Sequence, residues 1–218
     1  MKLRLLALPA ALSALALIGH GADAAPAAVK PQVVDPAGDA LTKQGGQDIT
    51  AVTFEVTKTT TVTTKLVKGK KVKVTTYTPK DFVVSLKLAA APSVLPGLTY
   101  YTGVATPCGD LHFQTSFNAL DAGEGTTAYF AECGPDQDVA GIVINTFDVA
   151  PTVTKTADSI VYSMPFKSLP KEIKLGSSFD APYAFVAATD PVFGFDTVTF
   201  GDKATAIDYA EGTGFKLS

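Results

Sequence analysis

Three aspartates near the start of the chain have the types and spacing best suited to chemistry. Asp35 and Asp39 bracket the segment Asp35-Pro36-Ala37-Gly38-Asp39, and Asp48 follows a second glycine-bearing stretch. Carboxylate oxygens are hard ligands, and calcium takes roughly six to eight oxygens, with backbone carbonyls and water completing the set. Asp35, Asp39 and Asp48 are therefore candidate calcium ligands, in a spacing unlike that of an EF-hand. The competing reading is turn chemistry, in which Asp35 and Asp39 bond their own backbone and Asp48 caps a strand entry. Two further acidic segments, residues 134–138 and 190–196, offer ligands of the same kind.

A second group is cationic. Lys65, Lys68, Lys70, Lys71 and Lys73 crowd into nine residues, with Tyr77 close behind. Lysines beside an aromatic ring suit contact with an anionic polymer, the ammonium groups meeting the charge and the ring stacking on a sugar face. The competing reading is that the lysines keep exposed strand edges soluble and unpaired.

Other reactive residues are few. A serine triad would have to use His112, and no GxSxG elbow is present. Paired carboxylates for glycoside hydrolysis remain a residual reading. Cys108 and Cys133 match no CxxC pattern and are expected to form one disulfide, worth about 3 kcal/mol for a loop of that length.

The elements that must position these residues are almost all strands. Val, Thr, Phe and Tyr recur in runs bounded by Gly, Pro, Asp and Asn, with no sustained helical period. From Ile49 to Val56 the pattern puts Ile49, Val52, Phe54 and Val56 on one face. Residues 58–67 and 72–77 then read as the arms of a β-hairpin joined across 68–71, a Thr- and Lys-rich ribbon that projects beyond the core. Further strands are expected at 81–88 (central in its sheet), 98–105, 111–117, 126–132, 139–147, 151–154, 158–165, 181–189 and 197–200. Residues 201–218 read as a polar, irregular tail.

Composition fixes the setting. Lys2 and Arg4, the apolar run 5–18 and Ala22-Asp23-Ala24 form a signal peptide over residues 1–24, with cleavage expected after Ala24. A flexible lead over 25–32 and one domain over 33–200 follow, in about 190 residues after cleavage. The apolar run is short of the roughly 20 residues of a membrane span, so the product is expected to be secreted, with no span. The full chain has 18 basic and 21 acidic residues, and loss of Lys2, Arg4 and Asp23 leaves a net charge of −4. Beyond residue 24 there is no arginine and no tryptophan, and His112 is the one histidine. Without guanidinium forks or a positive field, nucleic acid is not an expected partner.

Asp35-Pro36-Ala37-Gly38-Asp39, the pair Asp48-Ile49 leading into a strand, and the strand-proline-turn unit Tyr162-Ser163-Met164-Pro165-Phe166-Lys167-Ser168-Leu169 resemble the family 9 carbohydrate-binding modules and the related DOMON β-sandwiches, over about residues 33–196. The resemblance implies an all-β fold, a jelly-roll-like sandwich of two antiparallel sheets, and in some members a structural calcium ion. Family 9 modules grip sugar with paired tryptophans, which are missing here, so tyrosines (Tyr77, Tyr100, Tyr101, Tyr129, Tyr162, Tyr183) would have to substitute. Some DOMON domains hold haem between a Met and a His. Met164 and His112 are the residues on offer, but both sit in apolar surroundings and haem is not expected. The function expected is a non-catalytic binding module for a glycan or cell-envelope polymer. The alternative is a protein-interaction, adhesion or structural module that offers the hairpin edge to another extracellular protein.

Overall fold

The computed structural model describes residues 29–95, 97–117, 126–131, 138–139, 142–143, 151–188 and 206–218, with the backbone alone at 126–131, 138–139, 142–143 and 188. The expected signal peptide, the first half of the lead and the region expected to form a strand at 197–200 lie outside them.

The protein is an all-β sandwich of two antiparallel sheets. The first sheet has the order β1 (Val33–Val34), β2 (Ile49–Val67), β3 (Lys70–Leu88), β10 (Ser159–Pro165) and β9 (Thr152–Lys155). The second has the order β12 (Ala206–Glu211), β11 (Ser178–Ala188), β4 (Leu98–Thr106), β5 (Gly109–Phe117) and β6 (Thr126–Ala131), and β13 (Phe215–Lys216) also pairs with β11. The strand expected over 139–147 is seen, within the described residues, as the short pair β7 (Asp138–Val139) and β8 (Ile142–Val143).

Alternating apolar residues build the core between the sheets. Phe82 lies at its centre, with ring centroids 6.5 Å from Phe54, 6.1 Å from Phe113 and 6.2 Å from Phe179. Ile49, Val52, Phe54 and Val56 are all buried although their spacing breaks strict alternation. A register shift between Ile49 and Ala51 absorbs the odd residue and returns Ile49 to the inner face. One polar bridge crosses the core, where Thr115 Oγ1 on β5 donates to the Tyr162 hydroxyl on β10 at 3.0 Å.

Three sequence expectations need correction. The tail is not irregular: β12 and β13 hydrogen-bond to β11, and Ala206, Asp208, Ala210 and Leu217 are buried. Apart from Leu217, its buried side chains are small or charged, so they leave little hydrophobic alternation to read. The lead is tied down at its end, because Gln32 N donates to Val52 O at 2.9 Å and Gln32 Oε1 accepts from Phe54 N at 2.7 Å. Finally, the hairpin turn is shorter than the expected 68–71. Val67 pairs directly with Lys70, leaving Lys68 (φ 47°) and Gly69 (φ 75°) as the connection. Two consecutive positive φ values make a type I′ turn, whose twist matches that of the strands.

Candidate functional site

At one end of the sandwich the loop between β1 and β2 folds over the edge strand β12. Asp35 leaves β1 with its N–H bonded to Thr50 O at 3.1 Å, and Leu41 N in the same loop donates to Ile207 O of β12 at 2.9 Å. Gly38, at φ +97°, turns the loop so that its N–H reaches Asp48 Oδ2 at 2.6 Å. Asp208 projects from β12 into this end and braces it: Oδ2 accepts from Ile49 N at 2.5 Å and Oδ1 from Tyr209 N at 3.0 Å.

One carboxylate oxygen from each of Asp35, Asp39 and Asp208 falls within 4.8 Å of the others. Asp39 is exposed, Asp35 half-buried, and Asp208 buried. Asp48, only 4% exposed, stands behind them; its Oδ1 and the Oδ2 of Asp35 are buried with no hydrogen-bond partner. Among the described residues no lysine is ion-paired with any of the four; Lys43 donates instead to Gly38 O at 3.0 Å. Burial, reinforced by Asp39, then Asp208, then Asp48, pushes the Asp35 carboxyl up to about 6. Burial also raises Asp208, against the pull of its bond from Ile49 N–H. Of the expected ligands, Asp35 and Asp39 come together, while Asp48 spends one oxygen on Gly38 and is not among the three closest. Asp208 was missed, since it lies in the segment read as an irregular tail; the acid within Ile207-Asp208-Tyr209 was the available clue.

The cationic group sits on the ribbon. From Lys58 to Thr78 every side chain is exposed except half-buried Val74, over about 30 Å of strand. Cross-strand partners share a face and neighbours alternate. The register Thr60↔Tyr77, Thr64↔Lys73 and Leu66↔Lys71 therefore puts Tyr77, Val62, Leu66, Lys71 and Lys73 on one face. Lys65 and Lys70, paired with Val72 and Val67, occupy the other face, and Lys68 is in the turn. The expected contact residues are thus divided between two sides.

Among the described residues, most of the tyrosines offered for sugar stacking are withdrawn from solvent. Tyr100 and Tyr162 are fully buried, and the Tyr100 hydroxyl is bonded to Gly46 O at 2.5 Å and Ser93 O at 3.0 Å. Tyr101 is buried and Tyr183 half-buried, whereas Tyr77 is 63% exposed; the Tyr129 side chain lies outside the described residues. His112 faces away from the core, bonded through Nδ1 to the Tyr183 hydroxyl at 2.5 Å, and Met164 lies inside the core with Phe82 opposite it in the sheet. The two side chains are on opposite sides of the second sheet and do not bracket a common plane. Cys108 lies in the β4–β5 turn, and Cys133 and the acidic loops 134–137 and 190–196 lie outside the described residues.

Compared with family models, curated proteins and solved structures, the chain matches none.

Proposed function

We propose that this protein is an exported, non-catalytic binding module that contacts an anionic cell-envelope polymer through its ribbon. The observation that carries this reading is the ribbon itself. It is an extension of two core strands, solvated along nearly its whole length, with seven lysines from Lys58 to Lys80 and no acidic residue between Glu55 and Asp81. A chain of negative net charge that concentrates its lysines on one projection has separated a cationic contact surface from the rest of the molecule. On one face Tyr77, Val62 and Leu66, 63%, 58% and 71% exposed, lie beside Lys71 and Lys73, so a ring and aliphatic groups accompany the charges. The signal peptide, the Cys108–Cys133 disulfide and the likeness to family 9 and DOMON sandwiches belong to the same reading.

The alternative, pairing of a partner's strand with the ribbon, has an observation of its own. β1 reaches only Ala51 and Val52 on β2, and β10 reaches β3 only as far as Asp81, so both ribbon edges beyond the core are open among the described residues.

The test is binding of the secreted chain to poly(glycerol phosphate) teichoic acid, with neutral dextran as control. Binding to the polyanion alone, weakening as salt shortens the screening length below about 10 Å, and at least tenfold loss on joint substitution of Lys71 and Lys73 by Gln, is the expected result. Equal binding to both polymers, or to neither, would overturn the reading, and capture of a protein through the intact ribbon edge would favour the alternative.

A further inference from the structure

We infer that Asp35, Asp39 and Asp208 together form a binding site for a single calcium ion, independent of the ribbon. The first support is distance. Calcium–oxygen bonds of about 2.3–2.6 Å place oxygens on opposite sides of an ion about 4.6–5.2 Å apart. A mutual separation within 4.8 Å lets all three carboxylates reach one ion without movement of the backbone. The second support is independent of the cluster's geometry. Asp48 is 96% buried by its 4% exposure, its Oδ2 is engaged by Gly38 N–H, and its Oδ1 has no donor. The Oδ2 of half-buried Asp35 likewise has no donor, and the Asp48 charge acts on both Asp35 and Asp208. Buried carboxylate oxygens without a donor are costly, and a cation provides the partner that the protein's own hydrogen bonds do not.

The donor set selects the ion. All the oxygens are hard carboxylates and no histidine or cysteine is within the cluster, which disfavours zinc. Magnesium demands near-ideal octahedral geometry and keeps several waters, binding through one or two carboxylates, whereas calcium accepts a larger and looser set of oxygens. Asp39 is exposed and leaves the outer side open to water ligands. Asp35 and Asp39 lie in the first loop and Asp208 in the last long strand, so the ion would clasp the two ends of the domain together.

The measurement is thermal unfolding and calorimetric titration of the full secreted chain with calcium, magnesium or a chelator. Calcium is expected to raise Tm by about 5 °C or more at a hundredfold excess over its Kd, and the chelator to reverse the rise. Asp208→Asn also disturbs the bond to Ile49 N–H and risks misfolding, so exposed Asp39→Asn is the second variant. It is expected to weaken calcium binding at least tenfold while the chelated Tm stays at or above the parent value, because a repelling charge is gone. An equal response to magnesium, no response to either ion, or an undiminished calcium response in Asp39→Asn would each overturn the assignment. A ribbon that fails to bind polymer would leave this result untouched.

Discussion

At the residue scale, the core tyrosines tie stability to alkaline pH. Burial pushes the Tyr100 hydroxyl up to about 12, opposed by its bond to Ser93, and raises Tyr162 by the same cause. A group that holds its proton more tightly folded than unfolded contributes stability that is fully present below its unfolded pKa, about 10 here, and is lost as pH rises through the folded value. The unfolding midpoint is therefore expected to fall between about pH 10 and 12, with tyrosinate absorbance from these two residues appearing only as near-ultraviolet dichroism is lost. Ionisation of all seven tyrosines in a chain with native dichroism would contradict this. Residues differ in how far their roles are legible from sequence. Asp35 and Asp39 announce themselves, since a loop of Asp, Pro and Gly holds them four positions apart. Asp208 does not, because its placement depends on which strand lies at the sheet edge, and no local pattern encodes that.

At the element scale, the ribbon was legible because Thr-rich alternation around Lys-Gly is a local signal. Its turn length was not, since Lys70 and Lys71 are as plausible in the bend as in an arm until the pairings Val67↔Lys70 and Leu66↔Lys71 are seen. The same pairing makes a clean excision possible. Replacing Thr60 to Tyr77 with Asn-Gly keeps the pair Thr59↔Thr78 closed by a two-residue turn. No buried side chain is lost, so Tm is expected to stay within about 3 °C while polymer binding disappears. A large fall in Tm would show that the ribbon shares in the core.

At the scale of the whole molecule, the β-sandwich class followed from residue types, but its completeness did not. The last strands close the second sheet and bridge toward the first, where Val33 pairs with Gly212. Ending the chain before Ala206 exposes one side of β11 and removes Ala210 and Leu217 from the core. Such a truncation is expected to lose cooperative thermal unfolding, whereas removal of an irregular tail would not affect it.

The continuity of β2 and β3 from core to tip has a mechanical consequence. A pull on the ribbon runs along both strands into the sandwich, where β10 grips β3 through seven consecutive residue pairs from Ser159↔Lys87 to Pro165↔Asp81. Force applied in that direction loads the hydrogen bonds in shear, so they resist together and do not open one after another like a zip. A molecule anchored by its ribbon would thus hold its load through the strongest direction of its own sheet.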